Sequence, residues 1–277
     1  MRIAFAGSTR CFVHTSVRTC SFMMQRGCDV HSLGQTRSSH QRNHLLLTPD
    51  TFVRTSLPGM KACSAIVHVG PALGARFTQY TAEFEPHGEL GGTNAQRFVF
   101  VIEGGIKLEV GVKTSKLGAR GYAYLPEGVS HRVVSTKKSR VAVIEKGYEA
   151  LDSVDPPRLI VSNEDAISSH PLDDDPGLQV KCLLPEDPSF DFAVNTMVYE
   201  PGAALSVVEM HVMEHGLIML EGGGIYRLGD SWYPVTAGDF IWMGPWCPQW
   251  FAAIGKAPAK YLIYKNVNRH PWAGQQP

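Results

Sequence analysis

The chain has 277 residues, of which 44% are hydrophobic and 19% charged. That length allows one large or two ordinary domains whose cores need no disulfide or structural metal to be stable. Its 26 basic and 26 acidic residues cancel, so net charge gives no argument for binding nucleic acid or an anionic membrane surface. No apolar run reaches the roughly 18 residues that a membrane-spanning helix needs. We therefore expect no nucleic-acid partner and no membrane partner.

Residues 1–42 differ in composition from the rest of the chain. They are rich in Arg, Ser and Thr, and Asp29 is their only acid. This composition is typical of an organelle transit segment, and a disordered extension would give it equally. Three of the six cysteines lie here and the others are far apart, which indicates a reducing compartment. We expect a cytoplasmic protein, or one of the endoplasmic reticulum or another organelle if residues 1–42 are a targeting segment.

From residue 43 onward, short β-branched and aromatic runs alternate with Gly and Pro. Strands are predicted at 76–84, 97–102, 106–110, 121–125 and 141–145. Several short strands separated by turn signals favour an all-β sandwich or barrel. The proline-rich and acidic stretch 152–187 is predicted to be an inter-domain linker.

The two halves of the chain repeat each other. Residues 100–111 (FVIEGGIKLEVG) match residues 218–229 (IMLEGGGIYRLG), 121–131 match 238–249, and 143–146 match 262–265. The offset stays between 117 and 119 residues. We infer a tandem duplication of one β domain, with an extension at 1–42, a first domain at 43–155 and a second at 156–277.

The candidate site lies in the second copy, in VVEMHVMEHGLIML at 207–220. If 207–212 is a strand, period-two alternation places Glu209 and His211 on one face. His215 could then reach the same point, and two imidazoles with one carboxylate compose a metal site. The same letters also read H-x-x-E-H, the inverted zincin pattern, which needs a helix. A third reading is that both histidines are merely structural.

The duplication bears on these alternatives. In the first copy the three candidate ligand positions hold Gly91, Thr93 and Arg97, so that copy has the fold without the ligands. Its residues 86–92 include one proline and three glycines, which a helix would not tolerate. Gln249 aligns with His131 and could supply a fourth ligand. In the strand interpretation Glu214 points away from the site and is expected at the surface.

The spacing of these residues resembles the two cupin motifs. The first is Gly202-x6-Glu209-x-His211-x3-His215-x6-Gly222, with Glu in place of the usual first His. The second is Gly238-x6-Pro245-x3-Gln249, with Gln in place of the usual last His. The resemblance implies an all-β bicupin, that is, two tandem cupin barrels of the double-stranded β-helix or jelly-roll type.

A narrower resemblance covers 209–216 (EMHVMEHG), 221–250 and 261–269 (YLIYKNVNR). These stretches resemble the (S)-ureidoglycine aminohydrolase family, formerly described as glyoxylate-induced proteins. The resemblance implies an Mn²⁺ enzyme that hydrolyses (S)-ureidoglycine to (S)-ureidoglycolate and ammonia in purine (allantoin) catabolism. The ligand set without thiolate suits Mn²⁺ or Fe²⁺, so an Fe²⁺ dioxygenase and a non-enzymatic small-molecule-binding bicupin remain alternatives.

The resemblance also implies roles for particular residues. The metal ligands would be Glu209, His211, His215 and Gln249. The substrate contacts would be Glu209, Gln249, Tyr261 and Lys265, with Tyr226 as a pocket wall, and Lys265 and Glu209 would be catalytic. Alternation along 261–265 independently places Tyr261 and Lys265 on one face. A homo-oligomer is expected, because barrels with paired sheets often associate through edge strands.

Overall fold

The computed structural model describes residues 35–269, and within them it contains 21 strands and three short 3-10 helices. The predicted all-β class is therefore confirmed. No helix in this part of the chain is both long and apolar enough to cross a membrane. The 3-10 helices are Pro49–Thr51, Pro71–Leu73 and Glu164–Ala166.

The first half of the described chain holds eleven strands, and each of the five predicted strands overlaps one of them. They are β1 Ser39–His40, β2 His44–Leu47, β3 Arg54–Thr55, β4 Lys61–Val69, β5 Thr78–Leu90, β6 Gln96–Glu103, β7 Gly105–Val110, β8 Lys113–Gly118, β9 Gly121–Leu125, β10 His131–Ser135 and β11 Ser139–Lys146.

The second half of the described chain holds ten strands. They are β12 Ile160–Asn163, β13 His170–Leu172, β14 Asp175–Cys182, β15 Phe192–Tyr199, β16 His215–Glu221, β17 Gly223–Leu228, β18 Ser231–Thr236, β19 Phe240–Met243, β20 Gln249–Ala253 and β21 Ala259–Asn266. The linker predicted at 152–187 is wrong in part, because β12, β13 and β14 lie inside it. Of its prolines, Pro171 lies in the edge strand β13 and Pro176 lies near the start of β14, where a missing N–H costs little, and the others lie outside the strands.

The strands form two barrels with the same internal order, which confirms the predicted bicupin fold. In the first barrel the neighbours run β9-β6-β11-β5-β4, and in the second they run β19-β16-β21-β15-β14. The hairpin β7-β8 with β10 corresponds to the three-stranded sheet β18-β17-β20. Alternate side chains fill the interior of each barrel. A third apolar cluster, which includes Phe77, Phe98, Phe192 and Tyr264, contains residues of both barrels and joins them.

Short strands from each half of the chain join the sheet of the opposite half. Strand β2 precedes the first barrel in sequence, yet it pairs with β19 of the second barrel. Strand β12 follows the first barrel, and it pairs with β9 of that barrel. Each exchange covers an edge that would otherwise expose unpaired N–H and C=O groups. The domain boundaries at 42/43 and 155/156 stay a prediction, and residues 1–34 of the predicted extension lie outside the described residues.

Candidate metal centre

His215 is the first residue of β16, and its ring is buried. Its Nδ1 lies 3.2 Å from the carbonyl oxygen of Tyr264, to which an Nδ1–H can donate. That tautomer leaves Nε2 with a free lone pair, as a metal ligand requires. Burial lowers the pKa of His215 to about 3, so the ring is neutral at physiological pH.

His211 and Gln249 converge on the same point. The Nε2 atoms of His211 and His215 lie 3.3 Å apart, and the Gln249 side-chain nitrogen lies 2.9 Å from His211 Nε2. Nitrogen ligands sit about 2.1 Å from a divalent ion, so two of them at right angles are roughly 3 Å apart. Rotating the Gln249 amide by half a turn presents its oxygen instead. The spacing of these three side chains therefore fits a divalent cation.

Glu209 is tied to this cluster through its backbone. It exchanges two hydrogen bonds of 2.9 Å with the backbone of Gln249. Burial raises the pKa of Glu209, while the nearby His211 and Lys265 act to lower it. In residues 35–269, however, no three His, Cys, Asp or Glu side chains are close enough together to hold a metal ion. The structure thus brings three predicted ligands together and leaves the carboxylate of Glu209 outside the cluster, and the full set stays a prediction.

The strand predicted at 207–212 is wrong. This segment is an irregular loop in which Glu209 alone pairs, as an isolated bridge to Gln249. Val207, Val208 and Met210 are exposed, so alternation along a half-buried strand does not describe the segment. The inverted zincin interpretation is also wrong, because 211–215 forms no helix.

Glu214 was expected at the surface and is instead fully buried. Its carboxylate accepts hydrogen bonds from the backbone N–H of Arg76 and from the indole N–H of Trp242. Its own N–H donates to the side chain of Asn266 at 2.8 Å. A residue next to a turn need not follow strand alternation. Here the backbone directs the Glu214 carboxylate toward the contact between the two barrels. Glu214 therefore anchors the end of the loop that carries Glu209 and His211.

Lys265, Tyr261 and Tyr226 all lie in the second barrel. Lys265 stands opposite His215 in the β16–β21 register, and Tyr261 stands opposite Met219. Burial is the main cause that lowers the pKa of Lys265. The hydroxyl groups of Tyr261 and Tyr199 are 2.7 Å apart, and Tyr226 is buried against Phe251. Burial raises the pKa of both Tyr226 and Tyr261, so they are neutral hydrogen-bonding groups.

In the first barrel, the position equivalent to His215 holds a positively charged side chain. Arg97, which aligns with His215, donates to the carbonyl oxygen of Gly91 at 2.7 Å and contacts His131 Nε2 at 2.8 Å. Its guanidinium also forms an ion pair with Glu145 at 2.6 Å. The buried guanidinium occupies the position where the second barrel brings its imidazoles together. The alignment predicts Arg97 at this position, but no local pattern predicts the ion pair and hydrogen bonds that its guanidinium makes.

The register also corrects one part of the repeat. The sequence match of 143–146 with 262–265 paired Lys146 with Lys265. In the structure Arg97 stands opposite Glu145 and His215 stands opposite Lys265, so the equivalent of Lys265 is Glu145. A slip of one residue moves a side chain to the other face of the sheet. Lys146 accordingly points away from the barrel interior and pairs with the buried Asp191 at 2.6 Å.

The chain is similar to known proteins of one family. The family model described as "Cupin domain" matches residues 195–264. The (S)-ureidoglycine aminohydrolase of Arabidopsis thaliana is 41% identical over 243 residues, which cover 86% of this chain and 80% of that protein. The probable (S)-ureidoglycine aminohydrolase of rice, Oryza sativa subsp. japonica, is also 41% identical, over 86% of this chain and 77% of its own length.

Solved structures agree with the fold. The putative glyoxylate-induced protein from Pseudomonas aeruginosa has a TM-score of 0.78 and 31% identity, and the match covers 85% of this chain and 92% of that chain. Oxalate decarboxylase from Bacillus subtilis, whose Mn(II) centres have been studied, has a TM-score of 0.62 at 11% identity, covering 87% of this chain and 83% of that one. At that identity the likeness concerns the fold alone.

Proposed function

Since the chain belongs to the (S)-ureidoglycine aminohydrolase family, we propose that it hydrolyses (S)-ureidoglycine to (S)-ureidoglycolate and ammonia in purine catabolism. In this reaction water adds to the carbon that bears the amino group, and the bond from that carbon to the amine breaks. The observation that carries the proposal is the convergence of His211, His215 and Gln249 beside Lys265.

We propose Mn²⁺ as the cofactor, held by Glu209, His211, His215 and Gln249. The fit rests on two imidazole nitrogens that face each other and on an amide that can present its oxygen, a set without thiolate that suits Mn²⁺ or Fe²⁺. Glu209 lies on the same loop as His211 and is fixed to Gln249 by its backbone. A bound divalent ion would supply Lewis acidity toward the leaving amine and the attacking water.

The remaining side chains are proposed to bind and orient the substrate. Lys265 offers N–H donors, and in its charged form a full positive charge, for the substrate carboxylate. Tyr261 is a neutral donor, and its hydroxyl is fixed by Tyr199. Tyr226 forms part of the apolar wall with Phe251. Glu209 and Gln249 would contact the substrate from the metal side.

The test is ammonia release from enzymatically generated (S)-ureidoglycine by metal-stripped protein, with and without added Mn²⁺. We expect release only with the metal, and none from Glu209→Ala. Glu200→Ala, which removes an exposed carboxylate from the same barrel, is the matched control and should remain active. Full activity of Glu209→Ala would overturn the site.

The same assay separates the competing activities. Oxygen consumption with added Fe²⁺, in place of ammonia release, would identify a dioxygenase. Tight binding of the substrate without turnover in any metal would indicate a binding protein. The expectations of a homo-oligomer and of a cytoplasmic location stay predictions, which light scattering and cell fractionation can examine.

A further inference from the structure

The ammonium group of Lys265 has a neutral partner inside the barrel. With the Asn195 amide oriented to satisfy both of its ends, its oxygen accepts from Lys265 Nζ at 3.0 Å and its nitrogen donates to the Val194 carbonyl oxygen at 3.0 Å. Asn195 is itself buried, so its amide is held in this orientation. Cys182, Glu209 and Glu186 act on Lys265 through space, and none of them forms a hydrogen bond with it among the described residues.

The strand register explains how the two side chains meet. Asn195 on β15 stands opposite Ile263, and Lys265 is two residues further along β21. Such diagonal neighbours point to the same face of a sheet, and a long side chain can reach across the gap between them. The contact is therefore a property of the barrel wall and does not depend on the irregular loop that carries Glu209 and His211.

The first barrel contains the equivalent pair with the opposite polarity. Tyr80 stands opposite Val143 on β11, and Glu145 is two residues further along, as Lys265 is in the second barrel. The Tyr80 hydroxyl donates to the Glu145 carboxylate at 2.8 Å. In the first barrel Tyr80 donates to a carboxylate. In the second barrel Asn195 accepts from an ammonium group at the equivalent position. This matched change within one chain indicates that the partner side chain in each barrel is there to form a hydrogen bond with the charged group.

We propose that Asn195 is a positioning residue that holds Lys265 Nζ inside the second barrel, aimed at the substrate. The role of Lys265 itself rests on the function proposed above. An amide oxygen accepts one N–H of Lys265 without neutralising its charge, whereas a carboxylate at the same place would compete with the carboxylate of the substrate.

The first experiment measures kcat and KM with (S)-ureidoglycine and bound Mn²⁺. For Asn195→Leu we expect kcat to fall by about tenfold or more at unchanged metal content, the loss expected for one hydrogen bond to a charged group. Asn195→Asp restores an acceptor, so kcat should recover above the leucine variant while KM rises. Gln179→Leu removes an amide from the neighbouring strand, where it makes an exposed contact, and should change neither constant. A leucine variant with wild-type kcat would overturn the proposal.

The second experiment does not depend on activity. Thermal unfolding of metal-free wild type, Asn195→Leu, Lys265→Met and the double variant forms a double-mutant cycle. If the two side chains interact, the shift in Tm of the double variant should fall short of the sum of the single shifts by about 2–4 °C. Additive shifts would mean that the contact is absent. If the cycle shows coupling but the wild-type protein shows no turnover, the proposed function is rejected and the contact between Asn195 and Lys265 stands.

Discussion

His68 is a buried histidine whose protonation is expected to oppose folding. It stacks on Phe240 with ring centroids 4.7 Å apart, and its Nε2 lies 2.8 Å from the hydroxyl of Thr81. Burial lowers its pKa to about 3 from an ordinary 6.5. The unfolded chain therefore binds a proton at His68 between those two pH values while the folded chain does not, and stability must fall as pH drops through this window.

We predict that His68→Phe reduces the sensitivity of the fold to acid. Each unmatched proton lowers the free energy of unfolding by about 1.4 kcal/mol per pH unit. Between pH 7.5 and 5.0 the variant should accordingly lose about 2 kcal/mol less than the wild type. Urea unfolding at the two pH values measures the difference. Equal losses in the two proteins would show that His68 takes up a proton in the folded state.

Among the structural elements, β6 of the first barrel carries an arginine that binds three neighbouring groups inside that barrel. Arg97 places a guanidinium among Gly91, His131 and Glu145, and Glu145 also accepts from Tyr80. A permanent positive charge on the chain thus lies at the position that is equivalent to His215 in the second barrel. The second barrel has the imidazoles of His211 and His215 there, and in the proposed function a bound metal ion supplies the charge.

We predict that Arg97→Leu destabilises the protein by about 3 kcal/mol, because it leaves a mostly buried carboxylate without its partner. Arg97→Lys keeps the charge but not the forked geometry, and should cost less. Metal binding by the second barrel should be unchanged in both variants. Urea unfolding and titration with Mn²⁺ give the two quantities. A leucine variant of wild-type stability would contradict the role assigned to Arg97.

Strand β16 is packed tightly against the first barrel just behind the candidate metal ligand His215. A Cβ atom on Gly216 would lie 2.1 Å from the side-chain oxygen of Gln79 and 2.7 Å from the ring of Phe77. Both of those residues are buried and belong to β5 or to the loop before it. The first barrel therefore supports the site through this contact without contributing a ligand to it.

We predict that Gly216→Ala lowers the free energy of unfolding by about 1–3 kcal/mol through overpacking. Because His215 is the adjacent residue, the affinity for Mn²⁺ should fall as well. Gly118→Ala is the matched control, since no atom lies within 4 Å of its added Cβ. Calorimetric titration measures the Mn²⁺ affinity, and thermal unfolding measures the stability. If Gly216→Ala behaves like the control in both, the side chains at this contact can move apart to make room for a methyl group.

At the scale of the whole molecule, the duplication was the strongest signal in the sequence. It predicted two barrels and a first barrel without the ligands, because a duplicated β domain repeats its glycines and strands at a nearly constant offset. The alternating residues around Glu209 and His211 predict a strand, and they do not reveal that Val207 and Met210 are exposed in a loop. Contacts between distant segments, such as Glu214 with Arg76 or β2 with β19, leave no local pattern.

The N-terminal residues of the described chain belong to the second barrel. Arg37 forms a forked pair with Asp239 at 2.6 and 2.9 Å, and the aspartate side chain is completely buried. Arg37 also donates to the carbonyl oxygen of Pro234. Removal of the arginine would leave a buried carboxylate with one remaining hydrogen bond, from the backbone N–H of Thr236.

We predict that a chain beginning at residue 43 is less stable than one beginning at residue 36 by about 2 kcal/mol, a value reduced because Arg37 is partly exposed. Arg37→Ala in the longer chain should reproduce most of the loss, and urea unfolding compares the three proteins. Equal stabilities would mean that the pair contributes nothing to the folded state. If residues 1–42 include a cleaved targeting segment, a cut before Arg37 would keep this pair, whereas a cut after it would yield a mature protein with a weakened second barrel.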